Sequence, residues 1–156
     1  MQQFSTMQLT GLVTLRVLVG WHFLYEGLSK VLDPYWSSAG YLKSSDWLLS
    51  GFFHWLVESP ALLSTTDFLN QWGLVAIGIA LIAGFLSRPA CYAGMVLLLL
   101  YYVVHPPLIG FENQMPAEGS YLVVNKNLIE AAALLVLALF PTSQIIGIDR
   151  FIFKKK

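Results

Sequence analysis

A helix-length apolar segment near the start of the chain carries four ionisable side chains. Residues 14–30 read TLRVLVGWHFLYEGLSK, and the ionisable groups are Arg16, His22, Glu26 and Lys30. At about 100° per residue, these groups share an arc of roughly 160° with Gly20, Phe23 and Gly27. Ionisable groups are costly in hydrocarbon and mark functional sites in membrane helices. The shared face is therefore expected to point into a protein bundle rather than at lipid.

The composition predicts an integral membrane protein with a single domain, residues 1–156. Of the 156 residues, 56% are hydrophobic and 12% are charged, and the mean hydropathy is +0.64. A helix that crosses a bilayer needs about 20 residues, with a range of roughly 17–25. Four stretches qualify, at about residues 10–32, 70–87, 90–105 and 121–140. The predicted fold is an all-α, four-helix transmembrane bundle, and its first span lacks the flanks of a cleaved signal peptide.

The residue inventory argues against several classes of site. Cys91 is the single cysteine, without a CxxC or Cys/His cluster, so neither a disulfide within the chain nor a metal site is expected. The formal net charge is zero, so nucleic acid is not an expected partner. No haem is expected, although His22 and His105 could in principle ligate one. A purified protein with a bis-His haem would be red, and a colourless protein excludes this alternative.

Basic residues predict how the helices are oriented in the membrane. The link between the second and third spans holds Arg88, and the tail holds Arg150 and Lys154–Lys156. The positive-inside rule places both segments in the cytoplasm, since an even number of spans separates them. The N-terminus then also lies inside, and the two acidic connections face outward. We expect a multi-pass protein of the bacterial inner membrane with both termini in the cytoplasm.

The segment from Asp33 to Asp67 is rich in aromatic residues but is interrupted by charges. This composition is typical of chain that lies in the headgroup region of a membrane. Within it, SSDWLLSGFFHWLVESP predicts a short amphipathic helix with Ser or Asp as its N-cap and Pro60 beyond its end. We expect this helix to form a periplasmic lid over the outward end of the bundle.

With this orientation, polar residues of all four spans gather at the outward end. They are Glu26 and Lys30 on the first span, Asn70 and Trp72 on the second, His105 on the third, and residues 125–130 at the start of the fourth. Each lysine alone can snorkel to the headgroups, and Glu26 can pair with Lys30 at i+4. Burial of two glutamates and two lysines near one another is costly without a task, however. The cluster as a whole therefore predicts a functional site.

Two kinds of ligand fit a cationic, aromatic-lined pocket at a membrane surface. Lys30 and Lys126 can attract a small anion from the periplasm. A quinone head group can enter from lipid and exchange protons with His22 or Glu26, because a titratable acid beside a histidine suits proton-coupled electron transfer. The two ligands together describe a quinone-linked oxidoreductase.

Several motifs along the chain resemble one family. The first span carries R-x-x-x-G-x-x-F-x-x-x-G-x-x-K, formed by Arg16, Gly20, Phe23, Gly27 and Lys30. It is followed in order by DPYWSSAGYL, LNQWGLVAIGIALIAG, LLLYYVVHPP and the closing IIGIDR. This set resembles the DoxX/DoxD family of small four-helix membrane proteins, and EGSYLVVNKNLIEA resembles its Bacteroidetes branch. The resemblance implies similarity to the membrane subunit of thiosulfate:quinone oxidoreductase, which passes electrons from thiosulfate to quinone and works with a second subunit.

Three residues of the first-span motif are predicted to be structural. Gly20 and Gly27 permit a neighbouring helix to approach closely. Arg16 lies deeper than the polar cluster, and it reaches either the inner headgroups or Asp149 near the tail.

The leading hypothesis is a membrane subunit of a quinone-linked oxidoreductase that acts on a small sulfur anion such as thiosulfate, with quinone as the second substrate. In this hypothesis the catalytic, proton-handling residues are Glu26, His22 and Glu130. The predicted substrate-binding residues are Lys30, Lys126, Asn127, Trp36, Trp72, Tyr121 and His105. The lipid bilayer, a second redox subunit and a further copy of the chain are the partners considered. The alternative is a non-enzymatic membrane module that binds a lipid or anchors a partner protein, and a transporter ranks lower because the sequence shows neither repeats nor broken helices.

Overall fold

The computed structural model describes residues 4–107 and 122–152. Their regular structure consists of α-helices and one short 3-10 helix, and no strand occurs among these residues. The helices are α1 Thr6–Leu32, α2 Ala39–Lys43, α3 Ser50–Glu58, α4 Pro60–Ala83, α5 Ser87–Val104, α6 Lys126–Leu139 and α7 Asp149–Ile152, with the 3-10 helix at Thr142–Gln144. The all-α prediction is confirmed for the described part of the chain.

Three helices of the described residues, α1, α4 and α5, are long and apolar enough to cross a membrane. The fourth predicted span contains α6, which has 14 residues. At about 1.5 Å per residue α6 is about 21 Å long, whereas the hydrocarbon core of a bilayer is about 30 Å thick. The helix is short because the Asn125 side chain caps its start by accepting from the Leu128 amide, and Pro141 follows its end. A fourth crossing is therefore not confirmed.

The candidate spanning helices begin earlier than hydrophobicity alone indicates. α1 begins at Thr6, where Ser5 and Gln8 form a capping box. α4 begins at Pro60, well before the predicted start at residue 70, because proline suits the first turn of a helix, where its missing amide costs no hydrogen bond. The predicted amphipathic helix is α3, and Pro60 does lie beyond its end. Its N-cap is Leu49, however, so the predicted Ser or Asp cap was wrong.

α1 and α4 pack against each other in an antiparallel pair, and glycines bring their backbones together. A Cβ placed on Gly27 would lie 2.7 Å from the backbone nitrogen of Val75, and one on Gly78 would lie 2.5 Å from that of Leu24. Gly20 is also crowded by α4 side chains and backbone. Real Cβ atoms do not come this close to other atoms, so only glycine fits at these positions. The close packing predicted for Gly20 and Gly27 is present.

α5 packs mainly on α6, and the two helix pairs meet through α4 and α5. The interior that they share is apolar, and its most deeply buried side chains are Phe23, Leu81, Cys91 and Leu134. α1 and α6 are in contact to a smaller extent than the helices within each pair. The bundle therefore has a solid apolar core and a looser seam between α1 and α6.

At one end of the bundle, called the tail end, Arg16 is buried against residues 142–146. Its Nη1 donates to the Thr142 hydroxyl at 3.0 Å, and its Nη2 donates to the Ile146 carbonyl at 2.7 Å. The side chain of Arg16 cannot reach the inner headgroups, since the residue is 3% exposed. The guanidinium donates to these neutral groups rather than directly to Asp149, the predicted alternative partner, whose charge acts on Arg16 from nearby.

Asp149 instead caps the start of α5. Its Oδ1 accepts from the Leu86 amide at 2.7 Å, and its Oδ2 accepts from the Ser87 amide at 3.2 Å. The first amides of a helix have no partner within the helix and favour a negative charge. The tail is thereby attached to the turn between α4 and α5, next to Arg16.

Replacement of Gly78 by alanine is expected to destabilise the bundle. The added methyl group would meet the α1 backbone at Leu24, and overpacking of this kind costs about 1–3 kcal/mol. Gly73→Ala on the same helix is the matched control, since a Cβ there has nothing within 4 Å and alanine favours a helix by up to about 1 kcal/mol. Thermal unfolding in detergent micelles measures both variants. A melting temperature of Gly78→Ala equal to that of wild type would contradict the close packing of α1 on α4.

Candidate functional site

A cavity of about 390 Å³ lies at the other end of the bundle, called the polar end. Its walls come from α1, α4, α5, α6 and residues 36–41, which lead into α2. Apolar lining is provided by Phe23, Leu74 and Leu98. The remaining lining residues are His22, Glu26, Lys30, Trp36, Ser37, Ser38, Gly40, Tyr41, Asn70, Tyr101, Lys126, Asn127 and Glu130. The volume falls within the range of small-molecule sites.

Four titratable side chains form a row along the wall made by α1 and α6. Lys30 Nζ lies 2.5 Å from Glu26 Oε2, and Glu26 Oε1 lies 4.0 Å from His22 Nε2. His22 Nδ1 lies 2.8 Å from Glu130 Oε1 on α6. Residues four apart on a helix lie one above the other, which is why the three α1 side chains follow one line. The row therefore runs along α1 and then bridges the seam to α6.

The row is covered at both ends and open in the middle. The side chains of Lys30 and Glu130 are 18% and 12% exposed, whereas those of His22 and Glu26 are 42% and 43% exposed. Lys126 is close enough for its charge to act on both His22 and Glu26. A ligand in the cavity can therefore contact an imidazole and a carboxylate at once. An imidazole that is hydrogen-bonded to one carboxylate and lies 4.0 Å from a second can take up a proton and pass it on.

A second polar group lines the cavity from α2, α4 and α5. Asn70 Nδ2 donates to the Tyr101 hydroxyl at 2.7 Å, and the Tyr41 hydroxyl donates to the Tyr101 carbonyl at 3.0 Å. The two tyrosine rings meet edge to face, with centroids 6.0 Å apart. Burial raises the pKa of the Tyr41 phenol above its ordinary value, with a smaller contribution from Tyr101. The Tyr41 hydroxyl therefore stays neutral and serves as a hydrogen-bond donor.

The chain between α1 and α3 is tied to the bundle by hydrogen bonds. The Asp67 carboxylate on α4 accepts from the Ser37 hydroxyl at 2.9 Å and from the Ser38 amide at 2.9 Å. The Ser38 hydroxyl also donates to Asp67. Beyond α2, the Ser44 hydroxyl lies 3.1 Å from His105 Nε2, at the end of α5. These bonds hold the connecting segment against the cavity.

The family model described as DoxX matches residues 11–106, which is more than half of the chain. The chain belongs to the DoxX family. Comparisons with curated proteins and with solved structures gave no match. The matched range covers α1 to α5, so the cavity walls from α1, α2, α4 and α5 lie inside it. The α6 wall, with Lys126 and Glu130, lies beyond it.

In this DoxX-family protein, most of the predicted site residues line one cavity. They are His22, Glu26, Lys30, Trp36, Lys126, Asn127 and Glu130. Lys30 also lies 5.9 Å from the centroid of the Trp36 ring, within reach of a cation–π contact. The structure brings these side chains together, and the roles assigned to them stay predictions.

Trp72 and His105 do not line the cavity, contrary to the expectation for them. The Trp72 ring is near that of Phe68 on the outer face of α4, because position 72 points away from the face that carries Asn70. His105 packs on Tyr41, with ring centroids 4.4 Å apart, and is not among the residues that line the cavity with His22. Tyr121 lies outside the described residues.

Tyr41 and Tyr101 are not among the predicted site residues, and Asn70 is predicted only as a polar residue at this end. Tyr101 could have been found, since it follows Gly94 and Leu98 at helical spacing and therefore shares their inward face. Tyr41 lies in a five-residue helix after an irregular connection, where periodicity carries no information. Among residues 4–107 and 122–152, no group of three or more His, Cys, Asp or Glu side chains could hold a metal ion.

Asp67→Ala is expected to loosen the segment that leads into α2 without changing the titratable row. The substitution removes the acceptor of three hydrogen bonds from Ser37 and Ser38. Amide hydrogen exchange in residues 36–43, measured by mass spectrometry, should accelerate by about tenfold or more. Asp46→Ala, at an exposed position in the same region, is the control. Equal exchange in both variants would show that Asp67 does not hold the segment in place.

Proposed function

We propose that this DoxX-family membrane protein is the membrane subunit of a quinone-linked oxidoreductase that acts on a small sulfur anion such as thiosulfate. The observation that carries the proposal is the row formed by Glu130, His22 and Glu26, whose open middle borders a cavity with apolar lining. A quinone ring needs apolar surroundings, and its oxygens need protons when the ring is reduced. The cavity is suited to the ring, and the row is suited to proton transfer.

The stoichiometry of the proposed reaction explains why proton-transfer groups are needed. Reduction of a quinone to a quinol takes up two electrons and two protons. Oxidation of two thiosulfate ions to one tetrathionate ion releases two electrons and no proton. Both protons must then come from water by way of the protein. His22 is the group that can pass them between Glu130 and Glu26, because an imidazole gains a proton at one nitrogen while it releases one at the other.

Lys30 and Lys126 are the groups proposed to attract the anion. Lys30 also donates to the Glu26 carboxylate at 2.5 Å and to the Glu26 carbonyl at 3.0 Å, so its charge is partly neutralised. Protonation of Glu26 would weaken this ion pair and make Lys30 available to the anion. Anion binding and proton uptake would then be linked at the same pair of side chains.

The proposal places the polar end at the periplasmic side of the bacterial inner membrane and both termini in the cytoplasm. The exposed apolar residues of α1, which include Leu18, Trp21 and Tyr25, would face lipid. α6 and its flanking residues would complete a fourth crossing. α2 and α3 would form the periplasmic lid, with Trp55 in the headgroup region. The proposed partner is a second redox subunit that docks at this end.

The alternative function is a non-enzymatic membrane module that binds a lipid or anchors a partner protein. The rings of Phe52 and Trp55 on α3 favour this alternative. Both rings are about half exposed and lie next to each other, which is typical of a surface that docks a partner. This alternative predicts ligand binding in the cavity without electron transfer.

Quinol formation distinguishes the two functions. The purified protein is placed in lipid nanodiscs with a quinone, and thiosulfate is added under anaerobic conditions. Wild type should form quinol, and Glu26→Gln should lower the rate by about 100-fold or more, since loss of a proton-transfer group typically costs this much. Lys30→Met should raise the thiosulfate concentration needed for half-maximal rate.

Glu58→Gln and Lys43→Met are the matched controls, because they make the same chemical changes on exposed residues outside the cavity. Both should behave as wild type. Quinol formation that is unchanged in Glu26→Gln would contradict the proposed site. Quinone binding by wild type without any quinol formation would show that the chain alone does not transfer electrons to quinone, as the non-enzymatic alternative predicts.

A further inference from the structure

We propose that Asn70 and Tyr101 form a second ligand contact in the cavity, and that the cavity selects a flat ring with two opposed oxygens, a 1,4-quinone and its quinol. One oxygen contacts the open middle of the titratable row, and the other contacts the Asn70–Tyr101 pair. This inference rests on the proposed function and deepens it, since it names the ligand class and the residues that would determine specificity.

The hydrogen bonding of the pair leaves one acceptor and one donor unused. Tyr101 accepts from Asn70 Nδ2 through its hydroxyl oxygen at 2.7 Å, so the hydroxyl hydrogen points elsewhere. Asn70 Oδ1 is buried and has no hydrogen-bond partner within residues 4–107 and 122–152. Both residues line the cavity. Buried polar groups normally have a partner, so a pair with an unused acceptor and an unused donor beside a cavity is suited to a ligand.

The pair and the row are placed so that one ligand can contact both. Asn70 is on α4 and Tyr101 is on α5, whereas the row is on α1 and α6. The two sets of groups therefore reach the cavity from different helices. Both sets line the same cavity of about 390 Å³. A small ring in this cavity lies between them, and a long polar substrate is not required.

The pair matches both oxidation states of the ligand. A quinone carbonyl only accepts hydrogen bonds, and the Tyr101 hydroxyl can donate to it. A quinol hydroxyl is a donor, and Asn70 Oδ1 can accept from it. The same two residues can therefore bond to the ring before and after reduction.

Neighbouring polar groups are already committed to protein partners. The Tyr41 hydroxyl donates to the Tyr101 carbonyl, and the Ser38 hydroxyl donates to Asp67. A ligand that bonded to either group would break a bond that holds the segment before α3 in place. Asn70 and Tyr101 can bond to a ligand without such a loss.

Equilibrium binding to the full-length protein in nanodiscs tests the inference without any electron donor. The probes are a tritium-labelled 1,4-benzoquinone with a short alkyl tail, its hydroquinone, and the phenol with the same tail and one hydroxyl group. Empty nanodiscs give the background from partition into lipid. Asn70→Leu should weaken hydroquinone binding by about tenfold, and Tyr101→Phe should weaken quinone binding by about tenfold. A tenfold change in affinity corresponds to the loss of about one hydrogen bond.

Phenol binding should change little in either variant, which shows that the cavity is still folded. Tyr102→Phe is the matched control, because its hydroxyl donates to the Val123 carbonyl and the residue does not line the cavity. If wild type binds quinone and both cavity variants bind all three probes as wild type does, the second contact is disproved and the proposed function stands. If wild type binds neither quinone nor hydroquinone above background, quinone is not the ligand and both proposals are overturned.

Discussion

Close contact between α1 and α4 determines where the charged face of α1 points. Gly20, Gly27 and Gly78 leave so little room between the two backbones that α1 cannot rotate about its axis without a clash. Helices separated by ordinary side chains lie about 8–10 Å apart. With its glycine face held against α4, α1 directs His22 towards α6, where Glu130 is within hydrogen-bonding distance. The cavity and the row on its wall both depend on this packing.

The two ends of the bundle accommodate charge in different ways. At the tail end, Arg16 is 3% exposed and its guanidinium is bonded to neutral groups of residues 142–146, so the charge is enclosed. At the polar end, the side chains of His22 and Glu26 are 42% and 43% exposed although both lie on a helix long and apolar enough to cross a membrane. Charges within membrane helices are tolerated when they pair or face a cavity. The charge at the tail end is thus enclosed by protein groups, whereas the pair at the polar end borders the cavity.

The charged face of α1 could be predicted from the sequence because residues four apart on a helix necessarily align. That rule placed His22, Glu26 and Lys30 in one line, and the membrane cost of their charges indicated a site. The start of α4 at Pro60 and the length of α6 could not be predicted from hydrophobicity, since local capping decides them. The contribution of Tyr41 depends on how an irregular connection folds back onto α5, which is a tertiary contact without a periodic signal. Trp72 and His105 were expected at the cavity because they lie at the right depth. Trp72 points to the outer face of α4, and His105 lies at the end of α5, so neither residue lines the cavity.

The proposed function requires that a quinone binds in the cavity at the polar end. This is tested by photo-crosslinking in nanodiscs with a quinone that has no tail and carries a photoreactive group on its ring, followed by mass spectrometry of the labelled peptides. Labels are expected on the inward residues Phe23, Glu26 and Tyr101, and they should be lost when unlabelled quinone is added in excess. Trp21 and Tyr25 lie on the outward face of α1, at 60% and 62% exposure, and report on quinone dissolved in lipid. Labels confined to these outward residues, and unchanged by excess quinone, would contradict the claim.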